Sequence, residues 1–117
     1  MRCFVAFRGL FIGIDRYVSG EIDELTCARR DATALEALFS DTLGGSTVLL
    51  TDGDATRRRI EAAFADLATC DPKDTVVIAF SGHGSETHEL VTHDADLADW
   101  QRGVGVHRVA IRLDAQV

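Results

Sequence analysis

Three short apolar runs, at residues 9–14, 47–51 and 75–80, leave this chain few folds to choose from. Each stops abruptly at a polar or glycine-bearing turn, and a stretch of helical periodicity separates each from the next. Residues 28–39 carry Ala28, Ala32, Leu35, Leu38 and Phe39 at three/four spacing, and Gly44-Gly45 ends that helix. A second helix has Asp54 or Thr56 as its cap, the stripe Ile60, Ala63, Phe64 and Leu67, and Asp71-Pro72 as its stop. The order is β-α-β-α-β. Continuous rather than alternating strands call for an α/β fold with a mainly parallel sheet, helices on both faces and crossover connections.

The third run, Val76-Val77-Ile78-Ala79-Phe80, is expected to be a strand buried on both faces, and it delivers Ser81-Gly82-His83-Gly84. The flanking glycines let the backbone bend and approach a substrate closely. Open α/β sheets place ligands at the carboxyl ends of their strands, where an imidazole can take or give a proton near neutrality. His83 is therefore the candidate catalytic residue, and the Gly84 amide a candidate donor to a developing oxyanion.

At 117 residues the chain holds one domain at most, and 46% hydrophobic with 26% charged residues suits a globular core. A formal charge of −7 argues against nucleic acid as partner. The basic run Arg57-Arg58-Arg59 lies inside a helix and is expected to be a solvated face. Cys3, Cys27 and Cys70 form neither a disulfide framework nor a zinc pattern, so a reducing, cytoplasmic setting is expected. Arg8 interrupts the N-terminal apolar stretch, which reads as a lead-in to the first strand rather than a signal peptide. Nothing approaches the roughly 18–20 apolar residues of a membrane span.

Four segments, in this order, carry a resemblance. They are Leu10-Phe11-Ile12-Gly13-Ile14-Asp15-Arg16-Tyr17, Leu25-Thr26-Cys27-Ala28-Arg29-Arg30-Asp31-Ala32, Leu49-Leu50-Thr51-Asp52 and Phe80-Ser81-Gly82-His83-Gly84. Over about residues 9–96 the chain resembles the caspase-like cysteine peptidases, most closely the bacterial caspase-homologue and metacaspase branch. The resemblance implies a three-layer caspase-like sandwich and hydrolysis of peptide bonds; no residue pattern here identifies a cofactor or metal site, and none is expected. The resemblance makes His83 the catalytic histidine and assigns Asp31 and Ser81 to a pocket for a basic side chain. A carboxylate there favours Arg or Lys by charge complementarity. The family often has a cysteine three residues before that aspartate, where this chain has Ala28, so neither Ala28 nor Cys27 inherits a role. Arg16 is not placed to bind an acidic side chain as in caspases proper.

The family's nucleophile follows a fourth strand in an Asp-x-Cys turn. Here all three cysteines precede His83. The domain, 1–117, reads as partial, with a divergent tail at 97–117: a truncated or frameshifted product, or a first subunit whose thiol resides on another chain. Cys27, in a loop at the same sheet edge, is a weaker substitute, and Cys70, at the opposite edge, is structural. Without a fourth strand, residues 75–80 form an apolar edge that invites self-association or pairing with residues 104–113. Between them, residues 86–99 read as a solvated acidic loop. Its His88 and His93 are five apart, so they do not share the one helix face that a zinc-protease pair needs. A peptide or protein is the expected substrate. The competing readings are a non-catalytic caspase-like interaction module and, more remotely, a flavodoxin-like binding domain.

Overall fold

The computed structural model describes residues 7–84, 89–95 and 110–112. The first apolar run becomes the middle of a three-stranded sheet. β1 (Phe7–Gly13) lies between β2 (Ser46–Thr51) and β3 (Thr75–Ser81), and both neighbours run parallel to it. The register sets Gly13 beside Thr51 on one side and Ser81 on the other, so the three strands end together at one carboxyl edge. α1 (Ala28–Leu43) and α2 (Arg57–Leu67) make the connections, with a 3-10 turn at Asp52–Asp54.

β1 is closed on both faces because side chains alternate across a strand. Leu10, Ile12 and Ile14 project toward α2 and bury completely with Ile60 and Ala55, beside Phe64 and Leu67. Each such aliphatic side chain contributes about 1.5–3 kcal/mol when withdrawn from water. On the other face Phe39 of α1 stacks on Phe7, with centroids 5.9 Å apart, and meets Phe11 at 5.7 Å. Gly13 lets α1 sit directly on the strand: a Cβ there would lie 2.5 Å from the Ala28 carbonyl oxygen and 2.7 Å from the Ala32 Cβ. The expected three-layer α/β sandwich with a parallel sheet is the observed architecture.

The helices follow the expected cues with two adjustments. α2 is capped by Thr56, whose hydroxyl accepts the Arg59 N–H at 3.3 Å. Arg58 and Arg59 face water as expected, Arg59 pairing with Asp54 at 2.9 Å, whereas Arg57 is half-buried beside Glu61. α1 runs one turn past the expected residue 39, to Leu43, and ends where Gly44 and Gly45 adopt φ of 65° and 86°. Its inner face is Ala28, Ala32 and Phe39. Leu38, expected on that face, is 60% exposed because successive helical residues stand about 100° apart.

Three expectations fail. β3 is not buried on both faces, since Val76 and Ile78 remain 38% and 47% exposed. The apolar cluster under α2 takes in only Phe80 of β3, and among the described residues β3 pairs only with β1. Residues 89–92 are not a solvated loop: β4 (Glu89–Val91) and Thr92 are buried. The tail does not extend the main sheet at its described residues. β5 (Ala110–Arg112) pairs antiparallel with β4 instead, because β4 already presents an edge beside the turn that follows β3. Cys3, His88 and the rest of the tail lie outside the described residues.

Candidate active site at the carboxyl edge of the sheet

The carboxyl edge is tied together by main-chain and carboxylate contacts. The Ile14 N–H donates to the Ser81 carbonyl at 3.0 Å, locking the end of β3 to that of β1. Asp15, two residues past β1, caps α1 from outside the helix. Its carboxylate accepts the Ala28 N–H at 2.8 Å and the Arg29 N–H at 3.3 Å, and Cys27 at the formal cap offers no side-chain bond. Asp52 does the same for the loop after β1, its Oδ1 accepting from the Asp15 and Arg16 amides at 2.9 and 3.1 Å. Asp52 holds φ of 44°, a left-handed conformation that aspartate tolerates better than most residues.

His83 stands on this platform, half-buried one residue beyond the bend at Gly82. Gly82 has no left-handed backbone, so it is needed for space: a Cβ would come 3.0 Å from both the Phe80 ring and the Tyr17 hydroxyl. The His83 N–H donates to Tyr17 Oη at 2.9 Å, and the two rings lie 5.3 Å apart at 53°. The imidazole Nε2 is 2.8 Å from the Asp23 carbonyl oxygen. A carbonyl only accepts, so Nε2 carries the hydrogen and the neutral ring keeps its lone pair on Nδ1. That is the tautomer an acid–base histidine needs when its Nδ1 faces the reacting groups.

Gly84 opposes Leu90 in an isolated antiparallel bridge. The flanking bond, from the Val91 N–H to the His83 carbonyl at 3.0 Å, makes this a non-hydrogen-bonded pair. The N–H of Gly84 therefore points away from Leu90. Ser81, opposite Gly13, is half-buried at the end of β3. Asp31 is exposed in the first turn of α1. An open cleft of about 550 Å³ beside this edge is lined by Asp15, Arg16, Glu24, Leu25, Thr26, Arg29 and Asp52; Asp31 is not part of its wall. Cys27 is exposed, its Sγ 3.7 Å from Thr26 Oγ1 and 3.8 Å from the Arg30 guanidinium. Cys70 is half-buried just past α2.

The segment 89–95 braces the site from the other side. The His93 N–H donates to the Ala55 carbonyl at 3.0 Å and its carbonyl accepts the Val18 N–H at 2.9 Å, while Nδ1 lies 2.6 Å from the Arg16 carbonyl. Asp94 accepts the Arg57 N–H at the start of α2.

The sequence placed His83 just beyond the third strand, where the structure has it, and did not reveal the groups that hold it. Tyr17 was visible as an aromatic residue stranded in a polar loop. Asp23 had no visible signal, since it acts through a main-chain carbonyl that every residue has. Burial holds the Tyr17 hydroxyl above its ordinary 10.0; the bond from the His83 amide opposes this, and the charges of Asp15 and Asp52 add to it.

Among the described residues no helix is long and apolar enough to cross a membrane. No curated protein matches the chain. The family model of the caspase domain (peptidase C14) matches residues 7–114, covering the motif-bearing stretch and running on into the tail. The parallel α/β sandwich is consistent with that match, and the chain belongs to the caspase-domain family.

Proposed function

We propose that this chain supplies the acid–base half of a cysteine endopeptidase of the bacterial caspase-homologue and metacaspase branch, cleaving after Arg or Lys. The observation that carries the reading is His83 at the end of β3, its Nε2 engaged by the Asp23 carbonyl and Nδ1 left as the lone pair. In this reaction Nδ1 of His83 takes the proton of the thiol, and the resulting thiolate bonds to the scissile carbonyl carbon while amides, Gly84 among them, stabilise the oxyanion. Collapse breaks the C–N bond as His83 gives its proton to the leaving amine. Water then hydrolyses the thioester, His83 takes up its proton, and the thiol is regenerated. Asp31 and Ser81 are assigned the pocket for the basic side chain on the family resemblance.

Within the 117 residues no cysteine follows His83. In this reading the thiol arrives on a complementary segment, which lies along the apolar edge of β3, and residues 1–117 alone do not cleave. The setting is cytoplasmic, which the free thiols of Cys27 and Cys70 suit. The exposed apolar face of β3, with Val76 and Ile78, also favours a second reading, a non-catalytic caspase-like module that binds protein partners.

Fluorogenic Arg, Lys and Asp peptides separate the two readings. They are assayed with the chain alone and with a caspase-domain fragment carrying the fourth strand and its cysteine turn. The expected result is cleavage after Arg and Lys only with the fragment, lost in His83→Ala and weakened for basic substrates in Asp31→Ala. Cleavage indifferent to His83→Ala removes the first reading. Stable partner capture with no cleavage under any complementation supports the second.

A further inference from the structure

The side chain that touches both the main chain and the ring of His83 belongs to the loop after β1. Tyr17 Oη accepts the His83 N–H at 2.9 Å, and the phenol ring abuts the imidazole at 5.3 Å. The same hydroxyl is 3.5 Å from the Ile14 carbonyl, so its proton faces β1 while its lone pair faces His83. The ring packs against two apolar clusters, the main core around Ile12 and Ile60 and the smaller one formed by Val91 and Ala95. Gly82 keeps the space open, because any Cβ there would press on the hydroxyl.

We propose that Tyr17 is the positioning residue for His83. One end of the histidine is held at its amide by Oη, the other at Nε2 by the Asp23 carbonyl, and the Tyr17 ring limits how far the imidazole can swing between them. Both holds come from one loop, anchored by Asp52 at its start and by Asp15 at the cap of α1. Without Oη the His83 amide loses its acceptor in a half-buried setting, and the ring is left with one tether. Its importance for catalysis rests on the peptidase reading; the orientation itself does not.

Nitrogen NMR of the 117-residue chain tests the hold directly, with the His83 signals identified by their loss in His83→Gln. In Tyr17→Phe we expect the His83 amide to exchange about five- to tenfold faster, the scale of one lost hydrogen bond. The imidazole, mainly Nε2-protonated in the wild type, is expected to become a mixture of tautomers, while the amides of β1 keep their protection. Wild-type exchange and tautomer balance in Tyr17→Phe overturn the proposal. Should that variant fail to fold, ring-fluorinated tyrosine, incorporated at the chain's only tyrosine, keeps the shape and reports by fluorine NMR. Its resonance must shift in His83→Gln; a resonance blind to His83 overturns the proposal equally. In the complemented enzyme Tyr17→Phe is expected to lower kcat about five- to tenfold with KM unchanged. A complemented wild type that cleaves nothing removes the peptidase reading and leaves the NMR result standing.

Discussion

Gly13→Ala is the most demanding single perturbation of this architecture. Gly13 has no left-handed φ, so the added methyl strains no dihedral angle and the whole effect is steric. The new Cβ would lie 2.5 Å from the Ala28 carbonyl oxygen, 2.7 Å from the Ala32 Cβ and 2.9 Å from the Arg29 Cα. Two of these three are main-chain atoms of α1, which cannot rotate away. Restoring an ordinary carbon–carbon contact of about 3.5 Å requires the first turn of α1 to retreat by roughly 0.8 Å. That retreat stretches the Asp15 bonds to the Ala28 and Arg29 amides, 2.8 and 3.3 Å in the native arrangement. It also loosens Phe39 against Phe7 and Phe11. Overpacking of this kind costs about 1–3 kcal/mol, and the loss of a cap adds to it, so about 2–3 kcal/mol is expected. For a domain near 100 residues this lowers Tm by roughly 10–20 °C. Denaturant titration followed by circular dichroism reads the change, with Gly20→Ala as control, since a Cβ on Gly20 meets nothing within 4 Å. A Gly13→Ala midpoint equal to the control would refute the reasoning, because it would mean that α1 does not rest on β1 at this point.

Asp15→Ala is expected to cost about 1–2 kcal/mol and to speed exchange of the Ala28 and Arg29 amides, while α2 amides stay protected. Ile60→Ala, which opens the fully buried core beneath β1, should cost about 2–5 kcal/mol in the same denaturation assay. Ile78→Lys on the half-exposed face of β3 should leave stability within about 0.5 kcal/mol and abolish any concentration-dependent self-association in sedimentation velocity. Burial holds the Tyr17 hydroxyl above 10.0, so the folded chain keeps a proton that the unfolded chain releases first. Stability is then indifferent to this group below pH 10 and falls as pH rises above it; Tyr17→Phe should flatten that part of the slope, and equal slopes in both would contradict it.

What could be read from the residues divides along a physical line. β1, α1, β2, α2 and β3 were legible because their apolar periodicity is local and their stops are chemical: Gly44-Gly45, the Thr56 cap, Asp71-Pro72. The exposure of β3 was not, since five apolar residues look the same whether or not a helix covers them. β4 stayed hidden because three residues, Glu89, Leu90 and Val91, carry too little periodicity, and a buried glutamate reads as solvated. The capping role of Asp15 gave no local signal because its helix partner, α1, begins 13 residues away. The place of His83 was legible from its strand and turn; Tyr17 and Asp23, 66 and 60 residues upstream, could be joined to it only by the register of β1 and β3.

That register also bears on how a chain with no cysteine after His83 can still matter chemically. Among the described residues the hydrogen-bond partners of His83 are Tyr17, Asp23 and Val91, and none belongs to a segment that would carry a nucleophile. The imidazole is therefore oriented before any thiol approaches. In the proposed enzyme, complementation needs to order only the incoming strand and its turn, because β3 already stands in register with β1 and offers Val76 and Ile78 to a neighbour. Preorganisation of this kind lowers the ordering cost of assembly. It makes a distinct forecast: the His83 tautomer should be the same in the isolated chain and in the complemented form, and a ring that adopts its Nε2-protonated state only after the fragment binds would show that the loop after β1 does not hold it.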